Sequence, residues 1–143
     1  PPLLALSLST NRAGRPRDTL VNLQEEGIGS KASIFVLNAD LESASAVNKT
    51  VKLVAKEKSE WDFLPESPPN YDSALCAINC RVVDFYPLPE EAVGTLVILR
   101  VEYIEVPEGV DSESIPVKLF QIGFDKLGPG PSESDWRSQI DYA

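Results

Sequence analysis

Apolar and polar positions alternate with a period of two along much of this chain. Leu4, Leu6 and Leu8, for example, are separated by single small residues. Successive side chains of a strand point to opposite faces, so this period predicts short β-strands, with Ile98 among the side chains that face the core. The predicted strands cover residues 4–9, 19–24, 33–38, 50–56, 75–86, 95–106 and 117–124.

Turn-forming residues separate these strands. Pro, Gly, Asn and Asp are concentrated in the connections, and strands spaced at roughly 10 to 20 residues are typical of all-β sandwiches. We therefore predict an all-β, antiparallel β-sandwich of jelly-roll or immunoglobulin-like type with little helix, and a barrel as the second choice. One helical turn is predicted from Asp40 to Val47, with Asp40 as its N-cap.

The C-terminal segment differs in composition from the rest of the chain. Residues 1–127 are predicted to form a single β-sandwich domain, and residues 128–143 a polar tether and C-terminal arm. Trp136, Ile140 and Tyr142 end this arm, and they are interface candidates because large apolar groups on a polar tether dock onto a surface. That surface belongs either to the same domain or to a partner.

Charge is divided unevenly along the sequence. Residues 1–60 hold eight Lys/Arg and seven Asp/Glu, whereas residues 61–143 hold five and fifteen, which accounts for the net charge of −9. We predict a homo-oligomer or a protein partner, held through a head-to-tail contact between opposite charges. The basic candidates are Arg12, Arg15 and Arg17, and the acidic candidates are Glu102, Glu105, Glu108, Asp111 and Glu113. The acidic second part repels nucleic acid, so such contact is expected only through the three arginines.

The chain contains no histidine, which excludes Ser/His and Cys/His nucleophilic sites and histidine-based metal sites. Pairs of carboxylates remain, but the 22 acidic residues produce such pairs by chance. We therefore expect no enzymatic activity, no catalytic or metal-binding residues and no cofactor. A small carboxylate-dependent hydrolase is the third hypothesis.

The segment from Gly27 to Ala32 matches the dinucleotide-binding pattern Gly-x-Gly-x-x-Ala in letters. That motif requires a helix after the glycines, whereas the following segment has the pattern of a strand. The sequence therefore predicts a hairpin connection here. Pro68, Pro69 and Tyr71 spell the Pro-Pro-x-Tyr ligand of WW domains, and we interpret them as a structural loop, with WW binding as the alternative.

Cys76 and Cys80 are predicted to be separate, reduced, buried thiols, because positions four apart on a strand are about 13 Å from each other. Asn48 begins an Asn-x-Thr triplet, which is glycosylated only in a secretory pathway. No apolar run is long enough to predict a membrane span. Because methionine is absent, we interpret the chain as a segment of a longer polypeptide, and its localisation stays open.

The segment from Val93 to Pro107 resembles the last strand of the shell domain in small icosahedral virus coat proteins. The resemblance lies in the Gly-x-Leu start at Gly94, the Glu102-Tyr103 pair and the closing proline. It implies a β-sandwich of a viral coat or projecting domain. We therefore expect a non-enzymatic structural domain that self-assembles or binds a protein, as a viral coat or surface-domain component of a virion. A monomeric immunoglobulin-like binding or adhesion module is the alternative.

Overall fold

A computed structural model describes residues 1–10, 13–50, 59–64, 73–109, 118–122 and 126–129. The chain divides into two compact units. The first comprises residues 1–34 and 77–105, and the second comprises residues 35–76 and 106–143. In the described parts of the chain, no helix is long and apolar enough to cross a membrane.

Paired strands dominate the described structure. Four of them form a sheet in the order β1-β4-β3-β2, in which β4 is antiparallel to both β1 and β3. A second sheet pairs β5 with β6, also antiparallel. The strands are β1 (Leu3–Ser9), β2 (Lys31–Val36), β3 (Cys76–Pro87), β4 (Gly94–Glu105), β5 (Leu119–Ile122) and β6 (Lys126–Pro129). The predicted antiparallel, mostly β architecture is confirmed, and among the described residues it is accompanied by two α-helices.

The core of the first unit is built on the centre of β4. Val97 and Leu99 are fully buried there, and Val82 and Cys80 of β3 are buried beside them. Ile98, which was expected to face the core, is only half-buried, because at the centre of β4 the side chains of Val97 and Leu99 are the ones that point inward. Both faces of this strand are apolar near its start, so the period of two did not reveal which face is covered.

The first helix replaces a predicted strand. Residues 19–24 lie in α1 (Asp18–Glu26), where Leu20 is buried and Leu23 packs against the same core. Their spacing of three residues places both on one helical face. Gly27 ends the helix at φ 80°, and its N–H donates to the Leu23 carbonyl over 2.9 Å.

The connection after α1 also differs from the prediction. Gly27 to Ala32 joins a helix to β2 and is not a hairpin connection, so that expectation was wrong. Because a strand and not a helix follows the glycines, the argument against a dinucleotide fingerprint is confirmed.

The second helix is present where the sequence predicted a helical turn. It covers α2 (Leu41–Thr50), and the Ser43 N–H donates to Asp40 Oδ1 over 2.7 Å, as expected for an N-cap. This bond is the main reason why the pKa of Asp40 lies below its ordinary value. Thr50 therefore ends a helix and does not begin a strand. The remainder of the predicted strand 50–56 lies outside the described residues.

Candidate functional site

A pocket of about 280 Å³ opens in the second unit. Its described lining comes from the end of β2 and the residue after it, from α2, and from a 3₁₀ helix that covers Glu60–Phe63 and is followed directly by Leu64. The lining residues are Phe35, Leu37, Ala46, Val47, Thr50, Glu60, Trp61 and Leu64. Most of these side chains are apolar, as in typical small-molecule pockets.

Local spacing explains how these residues come to line one pocket. Ala46 and Thr50 are one helical turn apart, so they lie on the same face of α2. Phe35 and Leu37 are two residues apart on an extended segment, which places them on one side of the chain. The helix α2 and the extended segment therefore each contribute lining side chains from one side.

Hydrogen bonds hold the two helices that line the pocket. Asp40 caps α2, and the Thr50 hydroxyl donates to the Val47 carbonyl over 2.8 Å. The 3₁₀ helix begins with a capping box. In it the Trp61 N–H donates to Ser59 Oγ, and the Ser59 N–H donates to Asp62 Oδ2, each over 3.3 Å. These bonds orient Glu60 and Trp61.

The polar character of the pocket rests on few groups. Glu60 is the one charged residue among the described lining residues, and Thr50 already donates its hydroxyl proton to the backbone. Lys49 of α2 is exposed and does not line the pocket. A flat aromatic ligand with an N–H donor matches this lining, because Phe35 and Trp61 contribute aromatic rings and Glu60 contributes an acceptor.

The two cysteines are free, as predicted. Cys80 is buried, and burial, assisted by the negative charge of Glu102, raises the pKa of its thiol. Cys76 is only half-buried, so its predicted burial is wrong. Over the described ranges, no group of three or more His, Cys, Asp or Glu residues could hold a metal ion.

The predicted basic interface residues lie partly in the described structure. Arg15 and Arg17 are exposed in the first unit, and Arg17 directly precedes α1. Arg12 lies outside the described residues. Contact of these arginines with another copy or another protein stays a prediction.

Two of the acidic candidates, Glu102 and Glu105, have partners within their own unit. Glu102 accepts a hydrogen bond from Arg81 Nε over 2.8 Å, and Glu105 accepts one from Asn79 Nδ2 over 3.2 Å. Glu108 is exposed in the second unit, and Asn48 is exposed on α2. The remaining candidates lie outside the described residues: Asp111, Glu113, Trp136, Ile140 and Tyr142, together with Pro68, Pro69 and Tyr71 of the WW-type motif.

Sequence reasoning missed the pocket. None of its lining residues was a candidate, because isolated Trp, Phe and Leu residues indicate a core as readily as a binding site. The available signals were the helical spacing of Ala46 and Thr50 and the Ser-x-x-Asp capping box that begins at Ser59. Neither signal indicates that space is left between the elements.

Solved structures of other proteins resemble this fold, and two of them are described here. Nitrilotriacetate monooxygenase component B from Bacillus cereus matches with a TM-score of 0.70 and 21% identity, over 93% of this chain and 71% of that protein. A Shewanella frigidimarina protein with a split-barrel domain, named as a flavin reductase, matches with a TM-score of 0.69 and 18% identity, over 100% of this chain and 72% of its own. Neither a protein-family model nor a curated protein sequence matches the chain.

These neighbours correct several predictions. The resemblance to viral coat proteins is wrong, because the matches span nearly the whole chain whereas the viral motif covered one strand. The expectation of a non-enzymatic, self-assembling or adhesive domain is contradicted by neighbours that are named as enzymes or enzyme components. The antiparallel β class is correct, but these neighbours do not support the sandwich form.

Proposed function

We propose that this chain is a split-barrel domain of the flavin-reductase type, which binds a flavin and promotes its reduction. The likeness in fold carries this proposal. It extends over 93% of the chain for one neighbour and 100% for the other, and the second neighbour is named as a flavin reductase with a split-barrel domain.

The pocket of the second unit fits the ring system of a flavin. Its volume of about 280 Å³ is near the lower end of small-ligand pockets, which begin at roughly 300 Å³, so it suits a flat ring better than a whole nucleotide. Phe35 and Trp61 would stack on the ring, and Glu60 would accept a hydrogen bond from its N–H. A bound flavin would supply the capacity to accept a hydride from a reduced nicotinamide.

The charge of the pocket lining predicts the relative affinities of different flavins. No cation occurs among its described lining residues, so it offers a phosphate no opposite charge. We therefore expect riboflavin and flavin mononucleotide to bind with similar affinity. If the protein binds flavin mononucleotide much more tightly than riboflavin, residues outside this lining bind the phosphate.

Flavin titration tests the proposal. Riboflavin is titrated with the protein, and binding is followed by quenching of flavin fluorescence. Trp61→Ala should weaken binding about tenfold, since one stacked aromatic pair contributes about 0.5–1.5 kcal/mol beyond its buried area. Reduction is then measured as flavin-dependent loss of reduced-nicotinamide absorbance, with NADH and NADPH.

Tyr86→Ala is the matched control, because Tyr86 is an exposed aromatic residue of the first unit that does not line the pocket. It should bind riboflavin as the unmodified protein does. If the protein binds neither riboflavin nor flavin mononucleotide, the proposed function is wrong. If Trp61→Ala and Tyr86→Ala weaken riboflavin binding equally, the flavin ring does not bind in this pocket.

A further inference from the structure

Two arginines lie directly opposite each other on the exposed face of the four-stranded sheet. Val97 and Leu99 point into the core, so Arg100, the next residue of β4 after Leu99, points to the other face. Arg81 of β3 is the direct partner of Arg100 in the antiparallel pairing, and directly paired residues share a face. Like charges in this arrangement destabilise a sheet.

Lys31 extends this pair onto β2, which is the neighbour of β3. The Ser33 hydroxyl donates to Asn79 Oδ1 over 2.7 Å, and Arg81 Nη1 donates to the Gly29 carbonyl over 2.8 Å. Lys31 is midway between Ser33 and Gly29 and is exposed, as Ser33 is, so it lies beside Arg81 on the same face. We call Lys31, Arg81 and Arg100 the cationic row.

The carboxylates on this face do not neutralise the cationic row. Glu102 forms an ion pair with Arg81 Nε over 2.8 Å. Glu105 accepts a hydrogen bond from Asn79, and Asp84 accepts one from the backbone N–H of the next residue. Among the described residues, the two outer members of the row have no carboxylate partner. The row therefore keeps an excess of positive charge in a chain whose net charge is −9.

This charge balance does not depend on undescribed residues of the same unit. The row lies in the first unit, in which only residues 11 and 12 fall outside the description. They come after the Ser9 end of β1, whereas Arg100 pairs with Leu3 at the other end. The two ends of this strand are about 20 Å apart, at roughly 3.4 Å per residue.

The free donors of the row match phosphate oxygens. Arg81 uses one N–H on Glu102 and one on Gly29, and its remaining N–H groups are available. Arg100 has no partner among the described residues. Guanidinium groups bind phosphate through paired hydrogen bonds. Three cations on adjacent strands extend over about 10 Å, since neighbouring strands are about 4.8 Å apart, and this is longer than a single phosphate group.

We propose that the cationic row binds the diphosphate group of a small molecule. The two arginines hold one phosphate between them, and Lys31 binds the other. The bound anion replaces the repulsion between Arg81 and Arg100 with two attractions, so the pair destabilises the sheet only while the site is empty. This site belongs to the first unit and does not depend on flavin binding in the second.

Calorimetric titration with inorganic pyrophosphate tests this inference, at low ionic strength and without divalent cations. Pyrophosphate should bind more tightly than inorganic phosphate. Arg100→Gln should weaken pyrophosphate binding about tenfold, because it removes charge-assisted hydrogen bonds. Without ligand, Arg100→Gln should melt at a higher temperature than the unmodified protein, because the repulsion from Arg81 is gone. A lower melting temperature would contradict that repulsion and overturn the inference.

Lys49→Gln is the matched control, because it removes one exposed positive charge of α2, outside the row, and should leave the affinity unchanged. The inference is wrong if pyrophosphate does not bind, if phosphate binds equally well, or if Arg100→Gln and Lys49→Gln behave alike. Tighter binding of a glutamate peptide than of pyrophosphate would assign the row to an acidic protein and also overturn it. ADP identifies the source of the diphosphate: affinity equal to that of pyrophosphate supports a nucleotide, and weaker affinity supports the free anion.

Discussion

The core of the first unit and the pocket of the second unit are lined by similar apolar residues, but one is filled and the other is open. Val97 and Leu99 have no exposed surface, whereas Trp61 and Leu64 remain half-buried beside about 280 Å³ of space. The composition of the lining therefore does not decide whether a site is packed.

Strand pairing explains the filled core. β4 pairs along its length with β3 and, over residues 94–100, with β1, so its inward side chains are held between neighbours on both sides. The pocket instead depends on two short helices with their own caps, at Asp40 and Ser59. Helices that are held by their own caps can leave space between them, because no continuous series of inter-strand hydrogen bonds holds them side by side.

Truncation of one leucine in each region should give the largest difference in the loss of unfolding free energy. Leu99→Ala is expected to cost about 3–5 kcal/mol of unfolding free energy, because it leaves a cavity in a close-packed core. Leu64→Ala should cost less than about 1.5 kcal/mol, because its side chain already borders open space. Urea denaturation measures both values, and equal losses would contradict the contrast between the two regions.

Substitutions that add side-chain volume should also cost more unfolding free energy in the first unit than in the pocket, but the difference should be smaller. A Cβ on Gly94 would lie 2.9 Å from the Leu8 carbonyl oxygen and 3.2 Å from Ser9 Cα, so Gly94→Ala should cost about 1–3 kcal/mol. Ala46→Leu projects into the pocket and should change stability by less than about 1 kcal/mol. Greater damage from Ala46→Leu would show that the pocket does not tolerate filling.

The smallest expected effect concerns the cap of α2 and its dependence on pH. Hydrogen bonds from Ser43 lower the pKa of Asp40 below its ordinary value of 3.8, so the stabilising contribution is fully present above that pH. It is lost as the pH falls through the lowered value, because protonation removes the acceptor charge. Asp40→Ala should therefore flatten the acid branch of the stability curve, measured by thermal melts between neutral and acidic pH.

Glu42→Ala serves as the control on the same helix, since Glu42 is exposed and the Asp40 cap stays in place. It should keep the acid response of the unmodified protein. Parallel curves for Asp40→Ala and the unmodified protein would show that this cap does not stabilise α2.

Patterns within single elements were readable from the sequence. The period of two located β1, β2, β3 and β4 to within a few residues, because alternation follows from the geometry of a strand. Asp40 was recognised as a helix cap, because its side chain bonds to a backbone group only three residues away. These features depend on neighbours in the sequence.

Features that depend on distant parts of the chain required the tertiary structure. Residues 19–24 fit a strand and a helix equally well, and the burial of Leu20 against β3 and β4 selected the helix. The covered face of β4 followed from what packs on it and not from its own alternation. The pocket also depends on packing, because it is a space between β2, α2 and the 3₁₀ helix and is not a property of any one of them. Composition and local period determine which segments form and where they are apolar, whereas only packing determines which apolar surfaces meet and which leave room for a ligand.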